Sequence, residues 1–334
     1  MKIALFSSKS YDTEYFNSAN RTFHHDITFF EARLKSRTAD LAEGYEGVCV
    51  FVNDRIDRES IEKLKQHGVK IIALRSAGFN HVDLAAAEDN RIRVVRVPAY
   101  SPTSIAEHAL ALILTLNRKT HKAYNRVRDG NFSLERLTGF NVGGRKVGII
   151  GTGKIGAVFA KIMLGLGCQV LAYDKYENEE LKKSGVEYIG LEKLLAESDI
   201  ISLHCPLTPE TSHMINKKTL SMMKQGVMLI NTSRGALINT NDIIESLKQE
   251  HVGYLGIDVY EQEEKLFFRD RSHEILQDDQ IARLMTFPNV LITAHQAFFT
   301  REALEQIAVT TLQNLKDFEE GKELVNEVRL PEPR

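Results

Sequence analysis

An apolar run, Val147 to Ile150, leads directly into Gly151-Thr152-Gly153-Lys154-Ile155-Gly156, and helical spacing of apolar residues follows from Ala157 to Leu166. No other feature restricts the fold of this chain as strongly. A strand that ends on glycines and turns at once into a helix belongs to a parallel α/β sheet. The first glycine permits the tight turn, the second lets backbone approach a phosphate, and the third lets helix pack closely on strand. The helix N-terminus then directs its unpaired N–H groups and the positive end of its dipole at an anion. Gly151, Gly153 and Gly156 therefore predict a dinucleotide pyrophosphate site.

The next predicted strand, Gln169 to Asp174, ends in an acid 23 residues after Gly151, close to the spacing of a ribose-binding carboxylate. Asp174 can accept both ribose hydroxyls and would repel a 2′-phosphate, so NAD is the expected cofactor rather than NADP.

Further candidate strands lie at Lys146 to Ile150, Ile200 to His204, Val227 to Asn231, Tyr254 to Asp258 and Val290 to Ala294, separated by helix-length segments. Together they predict a Rossmann-type, doubly wound parallel sheet of six strands. The first hundred residues repeat the alternation on a smaller scale, with strands expected at Lys2 to Phe6, Gly47 to Val52, Val69 to Leu74 and Arg93 to Val97. This predicts a second, flavodoxin-like α/β domain. Pro102 behind Ser101 opens a long apolar helix through Ile105 to Leu116, a natural bridge between the two. The helical spacing from Arg301 to Glu320 could return to pack on the first domain. The fold class expected is α/β throughout.

Composition excludes several functions. The 43 basic and 45 acidic residues leave a net charge of −2 in mixed order, with no basic stripe for nucleic acid. Apolar stretches such as Ala109 to Leu116 fall well short of the roughly 18 residues of a membrane span. Met1 runs straight into the strand-like Lys2 to Phe6, without the pattern of a signal peptide, so a cytoplasmic protein is expected. Cys49, Cys168 and Cys205 are odd in number and widely spaced, which suits reduced thiols, and no cluster has metal-ligand spacing.

Three polar clusters follow predicted strand ends, where open α/β sheets place their ligand crevice. Thr232-Ser233-Arg234-Gly235 follows Asn231, Glu261, Glu263 and Glu264 follow Asp258, and His295 follows Ala294. An arginine can hold a carboxylate bidentately, and a histidine can deliver a proton to a carbonyl oxygen as hydride reaches the carbon. A carboxylate beside that histidine favours its imidazolium form. These types suit reduction of a small 2-oxo acid, although spacing alone does not choose among the glutamates. His81, His108 and His204 are read as structural.

The segments Arg75-Ser76-Ala77-Gly78-Phe79-Asn80, Val97-Pro98-Ala99-Tyr100, Leu137-Thr138-Gly139-Phe140, His204-Cys205-Pro206-Leu207-Thr208-Pro209-Glu210, Thr232-Ser233-Arg234-Gly235-Ala236, Asp258-Val259-Tyr260-Glu261-Gln262-Glu263 and His295-Gln296-Ala297-Phe298 resemble the D-isomer-specific 2-hydroxyacid dehydrogenases. The likeness is strongest to the lactate-type members. The resemblance implies Arg234, Glu263 and His295 as the catalytic group, the glutamate being chosen by its position five residues beyond Asp258. It implies Lys154, Ile155, Asp174, Cys205, Pro206, Thr211, Thr232, Ser233, Arg234 and Asp258 around NAD, with Asp258 on the nicotinamide amide. It also implies a substrate carboxylate held by Arg234 and the backbone amides of Ser76, Ala77 and Gly78, with Tyr100 bonding the substrate and Phe51 and Phe298 walling its side chain. Such walls favour the methyl of pyruvate, so the implied reaction is reversible conversion of pyruvate to D-lactate. The segment Lys265 to Leu284, with Leu266-Phe267-Phe268, resembles the lactate-type version, whereas Phe299 departs from the usual pattern.

The resemblance further implies a discontinuous substrate domain of residues 1–100 with 299–334, around a nucleotide domain of 101–298, with hinges near Tyr100 and Ala297. Closure would bring Ser76 to Gly78 and Tyr100 onto substrate and expel water. A homodimer through the nucleotide domain is the expected assembly, with a tetramer as the alternative. The competing readings are the same chemistry on 2-oxoisocaproate or hydroxypyruvate, and an NAD-sensing scaffold on the same fold.

Overall fold

A computed structural model of the chain describes residues 1–263 and 266–330; Glu264 and Lys265, part of two segments singled out above, lie outside them. The chain divides into two compact units, Met1–Ser101 with Phe298–Arg334, and Pro102–Ala297.

The first unit carries five parallel strands, β1 (Lys2–Leu5), β2 (Asp26–Phe29), β3 (Gly47–Val50), β4 (Ile71–Leu74) and β5 (Arg93–Arg96). Their order is β2-β1-β3-β4-β5, the flavodoxin-like order. Alternation along the strands divides their side chains between two cores. Ile3, Leu5, Cys49, Ile71, Ala73 and Val95 face one side, where Phe16 of α1 (Ser10–Phe23) and Ala308, Leu312 and Leu315 of α12 (Arg301–Glu319) cover them. Ala4, Val48, Val50, Ile72, Leu74 and Val94 face α2 (Arg58–Gln66) and α3 (Leu84–Asp89) on the other. The C-terminal helix thus packs within the first unit, on α1, β4 and β5. Thr300 caps it by accepting the Ala303 amide. Strand β2 is absent from the sequence reading because it is an edge strand with no buried residue, so its pattern is weak.

The second unit begins with α4 (Pro102–Arg118) and α5 (Thr120–Arg128) and then builds a seven-stranded parallel sheet. Its strands are β6 (Lys146–Ile150), β7 (Gln169–Tyr173), β8 (Glu187–Tyr188), β9 (Ile200–Leu203), β10 (Val227–Asn231), β11 (Val252–Ile257) and β12 (Val290–Ile292). The order β12-β11-β10-β9-β6-β7-β8 reverses direction at β6, which is the doubly wound Rossmann arrangement. The count is seven where the sequence reading has six, because β8 pairs only two residues and is too short to show periodicity. Two apolar layers again enclose the sheet. Helices α4, α6 (Lys154–Gly165) and α7 (Glu179–Lys183) cover Val147, Ile149, Val170, Met228 and Ile230. Helices α8 (Leu191–Glu197), α9 (Lys217–Ser221), α10 (Thr240–Lys248) and α11 (Asp279–Thr286) cover Ile150, Ile201, Leu203, Leu229 and Leu255. Because every strand of the sheet is parallel, the loops after β6, β7, β9, β10, β11 and β12 all emerge at one edge of the sheet.

Among the described residues no helix is long and apolar enough to cross a membrane, and no group of three or more His, Cys, Asp or Glu is placed to hold a metal ion. Cys49, Cys168 and Cys205 are free and buried.

Candidate active site

The glycine loop has the close approaches that its sequence demands. Gly151 has a φ of +95°, and a Cβ there would lie 2.6 Å from the Cys205 amide nitrogen. A Cβ on Gly156 would lie 1.9 Å from the Gly151 carbonyl oxygen, so helix and strand can meet only at glycine. Gly153 differs: it caps α6 with no side-chain partner, and a Cβ there would meet nothing within 4 Å. Close packing thus explains two of the glycines, and open space in front of a twelve-residue helix explains the third. Lys154 and Ile155 are the first residues of that helix.

Asp174 follows β7 and faces the same loop, accepting hydrogen bonds from the Thr152 amide and, at 3.1 Å, from the Thr152 hydroxyl. Its other oxygen accepts the Tyr176 amide at 3.0 Å. After β9, Cys205 is buried and its thiol is pushed up to about 11 by burial, which leaves it a packing group rather than a nucleophile. Thr211 donates to the Pro206 carbonyl at 2.7 Å and fixes that turn. Beyond β10, Ser233 donates to the Leu203 carbonyl at 2.9 Å, whereas the buried Thr232 hydroxyl has no partner among the described residues. An orphaned hydroxyl, an uncapped helix start and an acid beside the glycine turn fit a dinucleotide that carries phosphates, ribose hydroxyls and an amide.

The catalytic candidates converge at the same sheet edge. His295 Nδ1 lies 2.8 Å from Glu263 Oε1, and the other Glu263 oxygen accepts the Tyr260 amide at 2.9 Å. Geometry thus selects Glu263 without appeal to any family. Glu261 instead binds His213 at 2.6 Å and the Thr240 hydroxyl at 2.7 Å, which ties the turn to the start of α10. Burial raises the Glu261 carboxyl, but these bonds outweigh it and hold the group below the usual carboxylate range. With Nδ1 committed to Glu263, the opposite nitrogen of His295 is the one available for proton transfer.

His295 stands in the left-handed region at φ +53°, a conformation that needs support from its surroundings. Asp258 supplies that support. Its carbonyl accepts the His295 amide at 2.7 Å, and its carboxylate accepts the amides of Gln296 and Ala297 at 2.9 Å each. The carboxylate also takes the Thr293 hydroxyl at 2.5 Å. Burial raises this carboxyl, yet bonds from His108, Thr293 and Ala297 prevail and keep it below its ordinary value.

His108, read above as structural, joins this site. It projects from α4, with Nε2 3.0 Å from the Thr293 hydroxyl and 3.4 Å from Asp258 Oδ1. A polar side chain among Ile105, Ala106, Ala109 and Leu112 of one apolar helix was the available signal, but nothing local in the sequence identifies the loop it meets. His204 and His81 stay outside the chemistry, since burial pushes them down to about 3 and about 4 and so keeps them neutral.

Arg234 follows β10, and its guanidinium donates to the Ser233 carbonyl at 2.7 Å. Gly235 makes its position possible: a Cβ there would lie 2.1 Å from the Tyr260 carbonyl carbon and 2.4 Å from the Glu261 amide nitrogen. The turn that carries Arg234 therefore seats directly on the turn that carries Glu263.

In the first unit, the remaining predicted residues occupy strand ends of the five-stranded sheet. Ser76, Ala77 and Gly78 follow β4, and all three carbonyls accept bonds, from Val97 at 3.2 Å, Arg96 at 2.9 Å and the Ser76 hydroxyl at 2.8 Å. Their amides donate to no group among the described residues, which leaves N–H groups for an anion. Phe51 follows β3 and meets Phe298 with ring centroids 5.9 Å apart. Tyr100 stands edge-on to Phe298 at 6.1 Å.

Comparison with known proteins identifies the family. The family described as D-isomer specific 2-hydroxyacid dehydrogenase, NAD binding domain, matches residues 110–297. The D-lactate dehydrogenase of Escherichia coli is 52% identical over 328 residues, covering 98% of this chain and 100% of the relative. The solved apo-structure of the Escherichia coli D-lactate dehydrogenase has a TM-score of 0.91, with 98% of this chain and 100% of the other covered at 50% identity. A structure described as identifying the pyruvate reductase of Chlamydomonas reinhardtii has a TM-score of 0.94 at 45% identity, with 98% of each chain covered. An NAD-binding glycine turn, a histidine–glutamate pair and near full-length similarity thus lead to one conclusion: the chain belongs to the NAD-dependent, D-isomer-specific 2-hydroxyacid dehydrogenases.

Proposed function

We propose that this chain catalyses the reversible, stereospecific interconversion of pyruvate and D-lactate. The observation that carries the reading is the His295–Glu263 pair, 2.8 Å apart, at the sheet edge that also bears Arg234 and the glycine turn. Similarity to proteins named D-lactate dehydrogenase and pyruvate reductase supports the substrate.

Gly151 to Gly156, Asp174, Cys205, Pro206, Thr211, Thr232, Ser233 and Asp258 would hold NADH, which when bound would supply a hydride to C2 of the 2-oxo acid. Arg234 forks onto the substrate carboxylate, and the Ser76, Ala77 and Gly78 amides meet the same group. Tyr100 bonds the substrate, and Phe51 and Phe298 enclose its methyl. His295 gives its Nε2 proton to the C2 oxygen, so the carbonyl becomes an alcohol and the imidazolium becomes neutral. Glu263 holds the ring through Nδ1 and keeps Nε2 directed at the substrate. In the reverse direction the neutral ring takes the alcohol proton. Thr293, Gln296 and His108 all face Asp258 Oδ1, whereas Oδ2 accepts only the Ala297 amide among the described residues, and its second lone pair could take the nicotinamide amide.

The chain acts as a cytoplasmic homodimer in this reading. Tyr124, Val127, Phe132 and Leu134 are all more than half exposed on one stretch of the second unit, which favours self-association. The decisive experiment is NADH oxidation with pyruvate, 2-oxoisocaproate and hydroxypyruvate, with product chirality determined. Preference for pyruvate with D-lactate formed is expected, whereas L-lactate or a clear preference for either other acid overturns the proposal. Light scattering of the purified protein tests the dimer.

A further inference from the structure

Arg75 is fully packed inside the first unit, at 2% exposure, although it is among the largest and most polar side chains of the chain. It follows β4 and directly precedes Ser76, Ala77 and Gly78. Its guanidinium is spent on protein: Nε donates to Asp12 Oδ1 at 3.2 Å, Nη1 to the Phe6 carbonyl at 3.0 Å and Nη2 to the Ser7 carbonyl at 2.9 Å. The flat face of the same group lies over the Phe51 ring, 4.9 Å from its centroid. One side chain thus joins the ends of β1, β3 and β4 to the first turn of α1.

We infer that Arg75 is a specificity-determining positioning residue, whose guanidinium sets the Phe51 wall of the substrate pocket and anchors the amide turn at Ser76 to Gly78. The inference rests on the pocket proposed above. The Phe51 amide donates to Asp54 at 2.7 Å, while its ring rests on the guanidinium. The first contact fixes the backbone and the second fixes the ring. Phe298, on the other side of Phe51, packs against Phe299, and Phe299 packs edge-on against Tyr11 at 4.7 Å. Tyr11 adjoins Asp12, the ion-pair partner of Arg75, so both walls lead back to the same pair. A lysine retains the charge but has neither the planar face nor the three-way fork. The Phe51 ring would lose the flat cationic surface it rests on, and the pocket would admit longer side chains.

The test measures kcat and KM for pyruvate and 2-oxoisocaproate in wild type, Arg75→Lys, Asp12→Asn, Phe51→Leu and the Arg75→Lys/Phe51→Leu double variant. Arg75→Lys should lower the kcat/KM ratio of pyruvate to 2-oxoisocaproate by about tenfold, the order set by small changes in an apolar pocket. The pyruvate KM should rise more than kcat falls. Asp12→Asn keeps every Arg75 donor and should shift the ratio in the same direction by less, which preserves the test if Arg75→Lys does not fold. In the Phe51→Leu background, Arg75→Lys should change the ratio no further, because the ring it positions is gone. Equal ratios in wild type, Arg75→Lys and Asp12→Asn, whatever their melting temperatures, overturn the inference. The functional proposal fails separately, if wild type itself prefers another acid, and the comparison of ratios remains defined in that case.

Discussion

Gly235→Ala subjects the packing of the catalytic turns to a direct test. The added methyl would start 2.1 Å from the Tyr260 carbonyl carbon, 2.3 Å from its oxygen and 2.4 Å from the Glu261 amide nitrogen. All three are backbone atoms, so no side chain can swing aside. One turn has to retreat by roughly 1 Å, a displacement that alone can cost about 100-fold in rate when it moves a catalytic group. The Tyr260–Glu261 side is the better anchored, through the Tyr260 hydroxyl on Asp278 at 2.9 Å and Glu261 on His213 and Thr240. The Arg234 turn is therefore expected to move, which takes the guanidinium away from the substrate carboxylate. Overpacking of this kind costs about 1–3 kcal/mol, and for a unit of this size about 2–4 °C in melting temperature per kcal/mol. NADH oxidation with pyruvate should show kcat/KM lower by about 100-fold, mostly through KM, while calorimetry shows a modest fall in Tm. NADH affinity, followed by fluorescence, should change by only a few fold, since the glycine turn at β6 is untouched. An alanine variant with wild-type kcat/KM and Tm would refute the idea that this contact sets the distance between Arg234 and Glu263.

His295→Ala should abolish pyruvate turnover and leave NADH binding intact, as judged by fluorescence titration; loss of both would show that the ring is structural. His108→Ala should lower kcat, with recovery in His108→Gln, whose amide can donate near the same point; equal rates in all three would exclude a role for α4 in placing the loop of residues 293–297. Asp258→Asn should cost about 1–3 kcal/mol, because a donor amide replaces an acceptor facing backbone N–H groups. The pH dependence has a definite sign: a carboxyl depressed on folding stabilises the protein above its unfolded pKa of about 3.9 and loses that contribution as pH falls through the lower folded value. Wild type should therefore lose its advantage over Asp258→Asn in acid melts below about pH 4, and an advantage independent of pH there would sink the assignment. Asp174→Ala should weaken discrimination against NADPH by about tenfold or more in steady-state kinetics, since the charge that repels a 2′-phosphate is removed; unchanged discrimination would remove Asp174 from the ribose site.

The amino-acid sequence by itself determined the parts whose signals are local. Strand, glycine turn and helix at Val147 to Leu166 are contiguous, and Gly156 is required by its contact with Gly151 inside that segment, whereas Gly151 is required by its positive φ and by the backbone at Cys205. Parallel buried strands such as Val227–Asn231 are continuous apolar runs, so the α/β class was legible, whereas edge strand β2 and two-residue β8 bury too little to leave a pattern. The polar clusters at strand ends could be placed on one edge because parallel strands share a direction. Spacing alone left Glu261 and Glu263 open and the resemblance pointed to Glu263; the tertiary structure shows the contact itself, with Glu263 meeting His295 and Glu261 turning to His213 and Thr240. It alone showed why Gly235 is glycine, how α4 reaches Asp258 through His108, and why Arg75 is buried. Each of these contacts joins residues tens to more than a hundred positions apart, and pairings at that range are set by how helices and sheets close on one another rather than by any neighbouring residue.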